Sequence, residues 1–360
     1  MGLGAWVGSV GATIRHVSEL RRAASQLVFL NQRWAHHGRR SGYLLDVGLG
    51  PSLHRGDRWI PNPLVRWHAA RTGDEHGEQR ALLWISLALG GAKLLHVIDG
   101  DFDTWAYRRR PSWVRARVTA TFHQPVDRLA EVVRGIAPGS LDGIVCVSRP
   151  QLPLLEPLVA PGRCVFVPHG VETEFFRPAP DTIRRHAPVL LSVGGHRRDF
   201  AALVSAARAI RARRPDVVVR LIAPRAAAEA VRRDAGGAVE VLSGISDEEL
   251  LAQYRAATLL FLPLEAATAN NALLEAMACA LPTVITDVAD LHDYVTDEAA
   301  VFCTAGDAEA HASAALALLE DPARCARMGH AARAQAEALA WPKVRARARA
   351  FFELVAGRYE

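Results

Sequence analysis

Two apolar patterns alternate along this chain. Short continuous runs occur at Gln26–Gln32, Lys93–Asp99, Val118–Phe122, Gly143–Ser148, Cys164–Pro168, Pro188–Val193, Val217–Ala223, Val239–Ser243, Leu259–Leu264, Thr283–Asp287 and Ala300–Cys303. Their length and their richness in Val, Leu, Ile and Phe predict buried strands. Between them, apolar residues return every three or four positions over Glu78–Leu89, Val126–Ile136, Phe200–Arg211, the stretch from Ser246 through Ala257, Asp307–Leu319, Pro322–Leu339 and Lys343–Val355. That period predicts helices with one packed face. Strand and helix in alternation imply mainly parallel sheets covered on both faces, with ligands gathering beyond the carboxyl ends of the strands.

The densest information lies in LLFLPLEAATANNALLEAMACALPTVITDVADLHDY, residues 259–294. A buried strand runs into a turn of small and polar residues, and a helix begins at Asn270 or Asn271, either of which can cap it. Leu273, Leu274, Met277, Ala280 and Leu281 form one face, and Pro282 stops the helix. Glu275 projects about 150° from the centre of that face, which places it outside the core. Two uses fit a carboxylate there. One is a first-turn acid favoured by the helix dipole, and the other is an acceptor for the vicinal hydroxyls of a ribose at the mouth of a parallel sheet.

Other strand ends carry chemistry of their own. After Pro188–Val193 comes Gly194-Gly195-His196-Arg197-Arg198-Asp199, where glycines let backbone amides approach a phosphate and arginine supplies a charged fork. His123 stands at the tip of Val118–Phe122, followed by Gln124 and the strand-ending Pro125. Asp99-Gly100-Asp101-Phe102-Asp103 reads either as a metal-binding acidic turn or as carboxylates capping a helix. The segment HHGRRSGYLL after the first strand is a small-residue turn opening a helix. Gly2, Gly4 and Gly8 have no strand before them, and Met1–Ser25 reads as an extension of the fold.

The LEAMA segment, the interdomain-like run CVFVPHGVETEFFRPAP from Cys164 and the Trp341 tail resemble, in this order, the GT-B glycosyltransferases of glycosyltransferase family 4. The resemblance implies two Rossmann-like domains facing across a cleft. It places an acceptor-binding domain at 26–180 and a nucleotide-sugar-binding domain at 181–340, with a helix at 341–360 crossing back and Val171–Pro180 as hinge. It assigns ribose binding to Glu275 and diphosphate binding to Arg197 or Arg198, with Gly194, Gly195, Asn270, Asn271, Ala272 and Leu273 around the donor. On the acceptor side it implies the Ser41-Gly42-Tyr43 loop, beside which His37 reads either as a solvated loop histidine or as a residue with a direct role, and at the reaction centre His123 and Arg198. Three positions depart from the family pattern. Ala267 stands eight residues before Glu275 where a sugar-binding glutamate is usual, Ala280 replaces a glycine, and Ala289-Asp290 replaces a glycine pair.

Composition narrows the partners. With 360 residues, 50% apolar and 22% charged, the chain suits a two-domain globular enzyme. A net charge of +5 suits acidic ligands such as nucleoside diphosphates or an anionic lipid surface, although a chain with only Lys93 and Lys343 as lysines also reflects an arginine-rich codon habit. Five cysteines without a CxxC pair read as reduced thiols in a cytosolic protein and imply no zinc site. In Met1–Ile14 the charges follow the apolar part, the reverse of a secretory signal, and Trp6 spoils a myristoylation pattern. The longest apolar run, Ala81–Ala92, is short for a bilayer span.

The expectation is therefore a cytoplasmic, metal-independent, retaining glycosyltransferase. It uses a nucleotide sugar as co-substrate and no cofactor, acts on a small-molecule or lipid-linked acceptor, has no nucleic-acid partner, and can touch a membrane peripherally through the basic C-terminal helix. Rival readings are a catalytically silent GT-B binding protein, a nucleotide-sugar epimerase, and a nicotinamide dehydrogenase, against which stands the lack of a GxGxxG after any strand.

Overall fold

The computed structural model describes residues 27–31, 43, 45–46, 48–50, 52–54, 80, 83–84, 87–88, 91–108, 110–178 and 187–357. The extension Met1–Ser25 and the acceptor-side positions His37, Ser41 and Gly42 lie outside them. The chain divides into two compact units, one of residues 1–34, 45–167 and 345–360, the other of 35–44 and 168–344.

The first unit is built on β1 (Leu27–Asn31), β2 (Ser52–His54), β3 (Leu94–Val97), β4 (Arg117–Phe122), β5 (Gly143–Cys146) and β6 (Cys164–Phe166), with α1 (Val126–Val133) and the short α2 (Leu152–Leu155). Its six strands are ordered β2-β1-β3-β4-β5-β6 and every pair is parallel. All of β3 and all of β5 are buried, which is why these strands are continuous apolar runs and not alternating ones. The described residues of the predicted helix Glu78–Leu89 are helical, and Leu83, Trp84 and Leu87 are buried in this core. His96 is the exception among them. It is fully buried between the hydroxyls of Thr119 and Thr121, each 2.8 Å away, and it packs on Phe29 and Phe352. Burial, with a smaller push from His123, lowers its pKa to about 3, so the ring is neutral.

In the second unit follow β7 (Val189–Val193), α3 (Phe200–Arg213), β8 (Val218–Ile222), α4 (Arg225–Ala235), β9 (Glu240–Leu242), α5 (Asp247–Ala256), β10 (Leu259–Leu262), α6 (Asn271–Ala278), β11 (Thr283–Thr286), β12 (Ala300–Cys303), α7 (Ala308–Glu320), α8 (Pro322–Ala338) and α9 (Trp341–Ala356). The strands are ordered β12-β11-β10-β7-β8-β9, again all parallel. Helix starts follow local rules. Ser246 and Glu249 form a reciprocal capping box on α5, and Asp199, Asp307 and Asp321 cap α3, α7 and α8 with their carboxylates.

Three elements were not predicted, among them the four-residue α2. β2 is three residues long, and α4 carries its buried stripe on Ala228, Val231 and Ala235, which is too alanine-rich to stand out in the pattern. By contact, the first unit runs to Val167 and the second takes up the chain at Pro168. The reason is packing. Val171 exchanges backbone hydrogen bonds with Leu339 and Trp341, Phe176 packs edge-on against Tyr254, and Arg333 Nη1 donates to the carbonyls of Thr173, Phe176 and Ala278. Residues 168–178 are thus part of the second unit. The helix α9 has its first turn there and is counted in the first unit from Arg345, where Phe351 and Phe352 are buried.

Candidate functional site

In an open parallel sheet the place for a ligand is where strand order reverses. In the second unit that is between β7 and β10, and the two segments singled out in the sequence leave the sheet there. β7 runs into Gly194–Asp199 and β10 into residues 263–270. The two are stitched together: Asp199 N–H donates to Pro263 O at 3.1 Å and Glu265 N–H to Arg197 O at 3.1 Å.

Arg198 is the centre of this junction. Its Nε donates to Val193 O at 2.9 Å, Nη1 to His196 O at 3.2 Å and Nη2 to Asn270 Oδ1 at 3.3 Å. Burial lowers its pKa to about 10, against the pull of Tyr254 and Glu275, so it stays charged at neutral pH. Gly194 has φ 103°, and a β-carbon on it would lie 2.7 Å from Arg198 Nη2. The glycine therefore makes room for the guanidinium. Gly195 is close to Pro224, with 3.0 Å from an ideal β-carbon to Cδ. Arg197 holds the left-handed φ of 55°, a cost for a residue with a β-carbon.

Asn270, not Asn271, caps α6: its Oδ1 accepts from Leu273 N–H at 3.2 Å. The helix is buried on every side, from Ala272 through Ala278. This corrects the expectation that Glu275 lies outside the core. Glu275 is 4% exposed, and Tyr254 of α5 donates its hydroxyl to Oε2 at 2.8 Å. The apolar stripe faces one layer, and Glu275 faces the layer that Tyr254 and the Arg198 turn supply. The Tyr254 hydroxyl is pushed well up by burial and by the adjoining carboxylate, so it is a donor and not a phenolate. Ala267 packs partly buried against the core, and Glu265 is exposed. The hydroxyl of Thr268 in the same turn is buried without a hydrogen-bond partner among the described residues. Asp290 is buried in a 3-10 turn after β11, and Ala280 holds φ 60° at the end of α6.

The first unit's strand order reverses between β1 and β3, and its described polar residues cluster after β3 and β4. His123 Nε2 lies 2.9 Å from Ile98 O, so that nitrogen carries the proton. Burial lowers the His123 pKa, against Asp101 and the Ile98 bond, and the imidazole is neutral. Asp101 Oδ2 accepts His123 N–H at 2.6 Å, and burial raises the Asp101 pKa to about 6 against the pull of His123 and the amides of His123 and Gln124. Gln151 donates to the carbonyls of Phe122 and Gln124 at 3.2 and 2.8 Å. Asp101 and Gln151 thus fix the His123 turn. Asp103 accepts from Trp105 Nε1 at 2.8 Å and stands at the N-cap position of a 3-10 turn, to which its side chain makes no capping hydrogen bond. No group of three His, Cys, Asp or Glu side chains among the described residues is placed to hold a metal.

Tyr43, expected on the acceptor side of the first domain, is grouped with the second unit instead, because its ring packs edge-on against His169 at 5.0 Å and Trp341 at 5.4 Å.

The family model described as "Glycosyl transferases group 1" matches residues 187–321, a span that holds Arg198, Asn270 and Glu275. The chain is 28% identical to the MMP alpha-(1->4)-mannosyltransferase of Mycolicibacterium hassiacum over 56% of its own length and 50% of that protein's. It spans about half the length of the curated relatives it matches. The sucrose-phosphate synthase of Thermosynechococcus elongatus superposes with a TM-score of 0.68 at 19% identity, covering 95% of this chain and 92% of that one. Anabaena Alr3699/HepE in complex with UDP-glucose gives 0.69 at 14% identity, covering 91% and 99%. With two parallel six-stranded sheets, the fold is GT-B.

Proposed function

We propose that this chain is a glycosyltransferase that moves a sugar from a nucleoside-diphosphate sugar to an acceptor hydroxyl or amine, with retention of configuration and without a metal. The observation that carries the reading is the buried Glu275 carboxylate, held by Tyr254 beside the Arg198–Asn270 pair where strand order reverses. A carboxylate there accepts from a ribose diol, while Arg198 and the first amides of α6 offer positive charge to a diphosphate. HepE, which shares the fold, binds UDP-glucose, in keeping with a nucleotide-sugar donor.

Catalysis in this reading rests on positioning and on stabilising the departing diphosphate with Arg198. His123 serves the acceptor, with its ring orientation set by Ile98 and its backbone by Asp101. The acceptor is a small molecule or a lipid-linked one. Exposed Lys343, Arg347 and Arg349 of α9 favour peripheral contact with an anionic surface. Among the described residues no helix is long and apolar enough to cross a membrane.

One observation favours a second reading, a GT-B binding protein without turnover. The position of the family's sugar-binding glutamate is Ala267, and the nearest acid, Glu265, is exposed. A panel of UDP-, GDP-, ADP- and dTDP-sugars separates the two. Release of nucleoside diphosphate with any donor supports the transferase, whereas saturable binding with no release from any of them selects the binding protein.

A further inference from the structure

The Tyr254 hydroxyl has no part in the packing of α5 that its ring could not play alone. The ring is fully buried, edge-on to Phe176 at 5.9 Å between centroids, and Phe176 is itself fully buried, with its carbonyl held by Arg333. An oxygen on such a ring costs desolvation unless it is bonded, and its partner is the Glu275 carboxylate, 2.8 Å away. The only other acceptor described for it is Ala272 O, at a marginal 3.5 Å. Its one proton therefore goes to Oε2 of Glu275.

A glutamate carboxylate turns broadly about its last torsion, so a buried one must be oriented by a neighbour if it is to present an oxygen to a ligand in one plane. Arg198 does not do this: its described bonds go to Val193 O, His196 O and Asn270 Oδ1. Tyr254 comes from a different helix and is rigid because its ring is clamped.

We propose that Tyr254 is the positioning residue of the donor subsite, fixing the Glu275 carboxylate plane so that it accepts from both ribose hydroxyls of a bound nucleotide. The inference rests on the nucleotide-sugar reading and adds a residue that touches no ligand itself. Its signature is sensitivity to the ribose, which a purely structural tyrosine would not confer.

The test compares UDP, GDP and ADP with their 2′-deoxy forms by calorimetry, on wild type, Tyr254→Phe, Glu275→Gln and the double variant. Tyr254→Phe keeps the ring and loses only the hydroxyl. The expected result is that wild type binds at least one ribonucleotide and discriminates against its deoxy form. Tyr254→Phe then binds the ribonucleotide about tenfold more weakly, the scale of a hydrogen bond to a charged group. It loses most of the ribose discrimination, and it adds little in the Glu275→Gln background. If Tyr254→Phe binds as wild type does, or weakens ribo and deoxy forms equally, Tyr254 is structural and the proposal fails while the nucleotide site stands. Wild type binding none of the three overturns this proposal, and binding no dTDP either overturns the nucleotide-sugar reading with it. Circular dichroism of Tyr254→Phe guards the reading: should the phenylalanine variant unfold, equal discrimination in wild type and a folded Tyr254→Met, which also lacks the donor, would sink the proposal.

Discussion

Asn270 Oδ1 accepts from two donors that belong to different jobs, the Leu273 amide that begins α6 at 3.2 Å and Arg198 Nη2 at 3.3 Å. One oxygen thus caps the donor helix and holds the cation. Asn270→Ala should remove both and destabilise the protein by about 1–2 kcal/mol, the usual cost of a lost cap. Asn270→Asp keeps both acceptors, so stability should hold, but its charge neutralises Arg198 and should weaken nucleoside diphosphate binding. Denaturant melts and calorimetry on the pair check this, and equal binding by wild type and Asn270→Asp would remove Arg198 from the diphosphate site.

Glu275→Gln is isosteric and its amide oxygen can still accept the Tyr254 proton. The expected outcome is an unchanged melting temperature with nucleotide affinity reduced about tenfold, since a charged acceptor is lost. Unaltered affinity would return Glu275 to a structural role.

Ala280 ends α6 with φ 60°, where its N–H donates to Met277 O at 2.9 Å and Leu281 N–H to Ala276 O at 3.0 Å. That left-handed position costs an L-residue about 1–2 kcal/mol, of which glycine gives part back as entropy in the unfolded chain. Ala280→Gly should therefore raise stability by up to about 1 kcal/mol with turnover unaffected, measured as a shift in the denaturant midpoint. Ala280, which stands where the family pattern has a glycine, thus carries backbone strain.

His96 sets a pH limit. Its pKa falls from the ordinary 6.5 to about 3 in the fold because burial disfavours the charged ring, so the unfolded chain binds the extra proton first. The stability this contributes is complete above pH 6.5 and is lost as pH falls toward 3, at about 1.4 kcal/mol per unit from this group. Thermal melts between pH 4 and 7 should show a steeper acid loss for wild type than for His96→Gln, whose amide can bridge Thr119 and Thr121 without titrating. Parallel curves would refute the assignment.

Much of this was legible in the chain. The strands announced themselves because parallel strands buried on both faces are unbroken apolar runs, as in LLFL of β10, and the Ser246–Glu249 box marked its helix from local spacing alone. What was misread depends on contacts distant in sequence. The angle of Glu275 from its apolar stripe was correct, but a second layer covers that side, and Tyr254, the residue that covers it, lies 21 positions earlier. The grip of Arg333 on Thr173 and Phe176 joins residues about 160 positions apart in the chain, a separation no local rule senses.

That grip bears on any dissection of the molecule. Cutting the chain at the prolines would strip Phe176 from the Tyr254 ring and leave Arg333 with only Ala278 of its three carbonyls, so the nucleotide half would be released with a hole beside its own carboxylate. A self-sufficient C-terminal fragment has to begin upstream of Val171, at the cost of carrying a short tail that the primary sequence would have assigned to its neighbour.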